Sequence, residues 1–99
     1  MTTKHIFNLI DSLIDALKKT KYSRPQIQYL RCRKQAIKKA KTKTEKAHEI
    51  NVLKKTLFGP GAVTDIYVEP NETTTMGTVA LSSLIYSAAS NLYQYHGMR

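Results

Sequence analysis

Arg24, Arg31, Lys34, Lys38 and Lys41 follow one another at steps of seven, three, four and three residues, the spacing that gathers side chains on one side of an α-helix. At 1.5 Å per residue they would form a row roughly 25 Å long within a sector of about 100°. The chemistry open to such a row is electrostatic: each head group can neutralise one oxyanion, and a regularly spaced polyanion engages all of them together. The row belongs to the most basic part of the chain. Residues 31–46, RCRKQAIKKAKTKTEK, hold eight of the sixteen Lys and Arg and a single acid, Glu45. Packing like charges this densely costs self-repulsion unless a polyanion or counterions neutralise them. A merely solvated helix mixes signs to gain i,i+4 pairs, whereas no acid lies between Lys21 and Thr44. Lys acts as a point charge on phosphate, while Arg and the amides are the bidentate readers of base edges. Lys outnumbers Arg among the five, and Gln26, Gln28 and Gln35 are the only nearby amides. The expectation is therefore a nucleic-acid-binding surface, for DNA or RNA, that contacts the backbone with low sequence specificity.

Other chemistries find little support. His5, His48 and His96 are scattered, and Cys32 stands alone, so metal-ligand spacing and an intramolecular disulfide are both missing. Asp11 and Asp15 lie one turn apart but read as a solvated helix face able to pair with Lys18 and Lys19. Gly59-Pro60-Gly61 follows a helical pattern instead of opening one, contrary to a phosphate-cradling loop. The sequence predicts no enzyme, no catalytic residue, no metal, no cofactor and no small-molecule substrate. Asn71-Glu72-Thr73 matches a glycosylation sequon, which reads as chance without a secretory signal.

The 99 residues allow one small domain, 1–99, and their net charge of +9 favours an anionic partner. An anionic membrane is the weaker choice, because the side opposite the basic row is mostly Tyr29, Cys32, Ala36 and Ala40, too feebly apolar to seat a helix in lipid. Asn8, Asp11, Ser12 and Asp15 interrupt the first apolar stretch and spoil a signal-peptide layout. The expected location is cytoplasmic or otherwise intracellular, or inside a particle.

Four elements must position these residues. Ile6, Leu9, Ile10, Leu13, Ile14 and Leu17 recur at three- and four-residue steps and predict a helix from about Lys4 to Lys19. Ser23 and Gln26 read as a capping box opening a second helix, with Pro25 in its first turn. Helical patterning then runs to Phe58, where the glycines stop it. Leu30 and Ile37 point one way and Ile50, Leu53 and Leu57 roughly the other at about 100° per residue. Thr42 to Glu45 offers a second capping box, so a bend or break near 42–45 is expected, with one long helix over 24–58 as the alternative. AVTDIYVE, residues 62–69, is rich in β-branched residues and predicts a short strand, or a hairpin with 73–76. A final helix opens at Gly77-Thr78 and runs to about His96-Gly97. Its apolar stripe is Leu81, Leu84, Ile85, Ala88, Leu92 and Tyr95, and Ser82, Tyr86, Ala89 and Tyr93 lie on the other face.

From Thr73 to Tyr95 there is no charged side chain. A helix with two uncharged faces is usually covered on both sides, and so short a chain has little material of its own for that. The expected fold class is mainly α, three or four helices with a short β-strand or hairpin between the basic helix and the last helix. The expected partners are nucleic acid and further copies of the chain in a homo-oligomer or larger assembly. The helix–turn–basic-helix layout is comparable to that of small dimeric viral silencing suppressors, in layout only, and fits a small viral or phage-like protein. Two alternatives share the charge pattern: a small structural subunit of a virion or ribonucleoprotein assembly, and a small regulator binding an acidic surface of a partner protein.

Overall fold

The structure, a computed structural model, describes residues 3–95. Four helices make up its regular structure: α1 (Thr3–Leu17), α2 (Arg24–Lys39), α3 (Lys43–Lys55) and α4 (Thr78–Tyr93). α1 packs against α4 on one side and α2 on another, and α3 packs on α2. The result measures 41 × 22 × 22 Å. Ile6, Ile10, Leu13 and Leu17 of α1 are wholly buried and join Leu30, Ile37, Leu53, Leu57, Leu81, Ile85 and Leu92 in one apolar cluster. Each such side chain contributes about 1.5–3 kcal/mol of transfer free energy. His5 stacks on Tyr95 with ring centroids 5.6 Å apart, which brings the start of α1 to the end of α4. Burial raises the Tyr95 phenol above its ordinary pKa, and the Lys54 ammonium donates to the Tyr95 carbonyl.

The turn between α1 and α2 is built differently from the expected capping box. Ser23 makes no side-chain cap on α2. Its buried hydroxyl turns back instead, donating to the Leu17 carbonyl at 2.6 Å and the Thr20 carbonyl at 3.3 Å. It thereby joins the Thr20 amide and hydroxyl, at 3.0 and 3.1 Å, on the last carbonyl of α1. Gln26 does not reach the cap; its Oε1 is buried without a partner.

α2 and α3 are separate helices. Ala40 leaves the helix at φ −62, ψ 132, and Thr42 caps α3, accepting from the Glu45 amide at 3.1 Å. The Glu45 carboxylate accepts from the Lys41 amide at 2.9 Å. The drift of the apolar positions reflects this break. α3 returns antiparallel to α2, marked by Arg33–Glu49 at 2.9 Å and by Tyr29 and Thr56 hydroxyls 2.8 Å apart. Gly59 at φ 108 and Gly61 at φ 74 end the hairpin in conformations that other residues seldom adopt.

Residues 62–69 form no strand, and no hairpin with 73–76 occurs among the described residues. The only β feature there is one antiparallel bridge, Thr20 with Pro70. Alternation does hold: Ile66 and Val68 pack on the core while Asp65 and Tyr67 face solvent. The backbone partners, however, are helix ends. The Val63 and Thr64 amides donate to the Thr56 and Leu57 carbonyls at 2.9 and 3.2 Å. The Lys21 amide donates to Glu69 O at 2.9 Å, and the Asn71 amide to Lys19 O at 3.0 Å. The segment is a strap joining the end of α3 to the end of α1.

α4 ends at Tyr93, and His96 and Gly97, where its end was expected, lie outside the described residues. Its buried side is Leu81, Ile85, Ala89 and Leu92. Ala89 therefore faces the core, contrary to expectation, and Leu84 faces outward with 36% exposure. Leu81, Ile85 and Ala89 follow at four-residue steps and Leu92 three further on, and a small side chain such as alanine in that ridge permits close helix approach.

Candidate nucleic-acid interface

α2 presents a buried side centred on Leu30 and Ile37, and an outer side that carries its charge. Arg24, Arg31 and Lys38 stand on that outer side, exposed, with no ion pair among the described residues. Spaced at seven residues, they are almost in line along the helix, about 21 Å from first to last. Gln28 and Gln35 are exposed between them. The outer ridge thus reads Arg24–Gln28–Arg31–Gln35–Lys38 at alternating steps of four and three.

The other two residues of the expected row are placed differently. Lys34 turns toward α1, where its ammonium lies 2.9 and 3.0 Å from the two oxygens of Asp11 and 5.7 Å from the centre of the Phe7 ring. Its charge is already matched by a carboxylate. Lys41 lies beyond the end of α2, so it does not extend the helical ridge, although its side chain is exposed. Arg33, on the far side, is paired with Glu49.

Two grooves border the ridge on the α1 side. One, about 510 Å³, is lined by Asp11, Ile14, Asp15, Lys18, Arg31, Lys34, Gln35 and Lys38. The second, about 310 Å³, lies at the α1–α2 turn and is lined by Lys18, Thr20, Lys21, Ser23, Arg24, Ile27, Gln28 and Arg31. Lys21 is paired with Glu69 at 2.8 Å, and that hydrogen bond, reinforced by the carboxylate charge, holds its ammonium above its ordinary pKa. With Lys21 and Lys34 matched, the grooves keep Lys18, Arg24, Arg31 and Lys38 against one unmatched carboxylate, Asp15. Such an imbalance, set in concave walls, concentrates positive potential. Lys18 is the member that the sequence pattern missed. It follows the last residue of α1, and only the antiparallel packing of α1 on α2 brings it beside Arg31.

A different kind of surface lies on α4, separated from α2 by α1. The Phe58 ring contacts Tyr86 and Tyr93, each with centroids 5.8 Å away. Both tyrosines are half exposed, and Val79 and Leu84 are exposed with them. A further cavity of about 290 Å³ is lined by Pro25, Gln26, Tyr29, Thr56, Gly61, Ala62 and Val63, none of them charged. Cys32 is exposed and free. Among the described residues no group of three or more His, Cys, Asp or Glu could hold a metal ion, and no helix is long and apolar enough to cross a membrane. Asn71, the sequon residue, uses its amide to donate to Lys18 O at 2.5 Å and its side-chain oxygen to accept from Thr73.

No protein-family model, curated protein or solved structure matches this chain, so its functional reading rests on the geometry above.

Proposed function

We propose that this chain is a non-enzymatic nucleic-acid-binding protein. The outer ridge of α2 lies along the phosphate backbone with low sequence specificity. Arg24, Arg31 and Lys38 are the principal contacts, joined by Lys18 just past the end of α1; Lys41 adds charge beyond α2, and Lys34 contributes only after release from Asp11. The observation that carries this reading is the division of labour among the cations. The chain pairs Arg33 and Lys34 with acids from neighbouring helices, yet among the described residues the three on the ridge have none. Unmatched cations in a line gain most from a ligand that releases counterions as it binds.

The protein acts as an oligomer. The uncharged outer face of α4, with Tyr86, Tyr93, Val79 and Leu84 exposed, offers a second copy a surface free of like-charge repulsion despite the net charge of +9. This face is separated from the ridge by α1, so association leaves the basic surface accessible.

Equilibrium titration of random-sequence duplex at several salt concentrations tests the central part. Four phosphate contacts give a log–log slope of about −3.6 for B-DNA. Absence of binding at low salt, or a slope near zero, removes the proposal. Tight binding to an acidic protein with none to nucleic acid would favour a regulator of that surface instead.

A further inference from the structure

The α1–α2 turn and the strap beside it each expose an aromatic ring that neither the core nor the phosphate contacts require. Tyr22 is 57% and Tyr67 71% exposed, and their ring centroids lie 6.0 Å apart at an interplanar angle of 55°. Each is held outward by what lies beneath it. Tyr22 precedes Ser23, whose buried hydroxyl is tied to the end of α1. Tyr67 stands between Ile66 and Val68, which pack inward. Backbone bonds from Lys21 to Glu69 and from Asn71 to Lys19, together with the Lys21–Glu69 ion pair, fix the strap to the turn. The rings are therefore positioned by a rigid frame and keep open faces toward solvent.

This pair adjoins the basic ridge. Arg24, its first cation, follows Tyr22 by two residues, so their Cα atoms are at most about 7 Å apart. The groove lined by Lys18, Arg24 and Arg31 begins at the same turn. A positively charged track ending in exposed aromatic rings is the arrangement that binds an unpaired strand, with phosphates on the cations and a base against the ring. In a duplex both faces of an internal base are covered by its neighbours, so only an unstacked base can use the ring.

We propose that the ligand of the ridge is single-stranded nucleic acid, one of whose bases stacks on Tyr67 with Tyr22 as backing wall while the adjoining phosphates lie on Arg24 and Arg31. This rests on the nucleic-acid reading of α2 and names its substrate class. Duplex still binds through the cations, but less tightly.

The test compares an oligothymidylate carrying one 2-aminopurine with the same strand annealed to its complement, at one salt concentration. The wild type should bind the single strand more tightly and quench 2-aminopurine. Tyr67→Leu keeps an apolar contact with Tyr22 but removes the ring; it should weaken single-strand binding at least about fivefold and leave duplex binding unchanged. Tyr67→Phe should bind as the wild type does, which separates loss of stacking from damage to the strap. Equal affinity for both forms, no quenching, or an unaltered Tyr67→Leu overturns the proposal. Arg31→Glu/Lys38→Glu separates the two readings. If it abolishes binding to both forms while Tyr67→Leu changes neither, the ridge stands and the stacking site falls. If Tyr67→Leu weakens single-strand binding while the charge-reversed variant binds normally, the ridge falls.

Discussion

Replacing Asp11 by Asn should make this protein a stronger, more salt-sensitive binder of duplex DNA. Lys34 lies on the α1 edge of the ridge, but its ammonium is held 2.9 Å from the Asp11 carboxylate. Removing that carboxylate frees Lys34 to join Lys18, Arg24, Arg31 and Lys38, raising the phosphate contacts from four to about five. At a slope of about −0.9 per neutralised phosphate, the log–log dependence steepens from about −3.6 to about −4.5. Between 50 and 200 mM salt the wild type then loses about 150-fold in affinity and Asp11→Asn about 500-fold. Arg31→Ala works in the opposite direction, with a slope of about −2.7 and a loss of about 40-fold over the same range. Lys34→Ala should leave the slope near that of the wild type, since the lysine it removes was already matched.

Fluorescence anisotropy of a labelled random duplex at four or more salt concentrations gives the slopes directly. The fold should tolerate Asp11→Asn, because the pair is partly solvated, with side chains 31% and 49% exposed, and such pairs contribute only about 0–1 kcal/mol. Thermal melting checks this. An unchanged slope in Asp11→Asn, or equal flattening in Arg31→Ala and Lys34→Ala, would refute the claim that intramolecular pairing decides which cations bind.

Three other expectations follow from single features of the structure. Ser23→Ala removes the buried hydroxyl that donates to the Leu17 carbonyl at 2.6 Å; it should cost about 0.5–1.5 kcal/mol in urea unfolding, and an unchanged midpoint would mean that the turn is held without it. Gln26→Met replaces an amide whose Oε1 is buried without a partner; it should be neutral or stabilising by up to about 1 kcal/mol, and a clear loss would reveal a role for the amide. Tyr86→Glu with Tyr93→Glu places charge on the outer face of α4. Sedimentation should then show a helical monomer where the wild type is larger, and a monomeric wild type would end the case for self-association through this face.

The helices were legible because burial and periodicity describe the same fact. Ile6, Ile10, Leu13 and Leu17 recur at helical steps, and all are wholly buried. The break before α3 was legible from a change of phase combined with Thr42 and Glu45. The strap departs from the expected strand for a physical reason. A two-residue alternation records an extended backbone with one side packed, and it says nothing about what the backbone hydrogen-bonds to. At Val63 and Thr64 the acceptors are the Thr56 and Leu57 carbonyls just past α3, and at Asn71 the acceptor is the Lys19 carbonyl past α1, far away in sequence. Ser23 is a similar case: its residue type suits an N-cap, yet its hydroxyl donates to the Leu17 carbonyl behind it, which also accepts from the Thr20 amide and hydroxyl.

The site is a harder case, because a charge count and an available charge are different quantities. Arg31, Arg33 and Lys34 lie within four consecutive residues and carry the same formal charge, but the fold separates them completely. Helical geometry turns Arg33 to Glu49 on α3 and Lys34 to Asp11 on α1, and leaves Arg31 exposed without an ion pair. Those acids are 16 and 23 residues away along the chain, so no local window could reveal the pairing. The same packing that withdraws Lys34 supplies Lys18. A row of five cations expected on one helix thus becomes four, three of the original row on α2 and Lys18 just past the end of α1. The aromatic rings at the turn complete the argument. Tyr22 is adjacent to the basic helix in sequence, whereas Tyr67 arrives only because the strap is not a strand: bonded to the end of α1, it carries that ring to the start of the ridge.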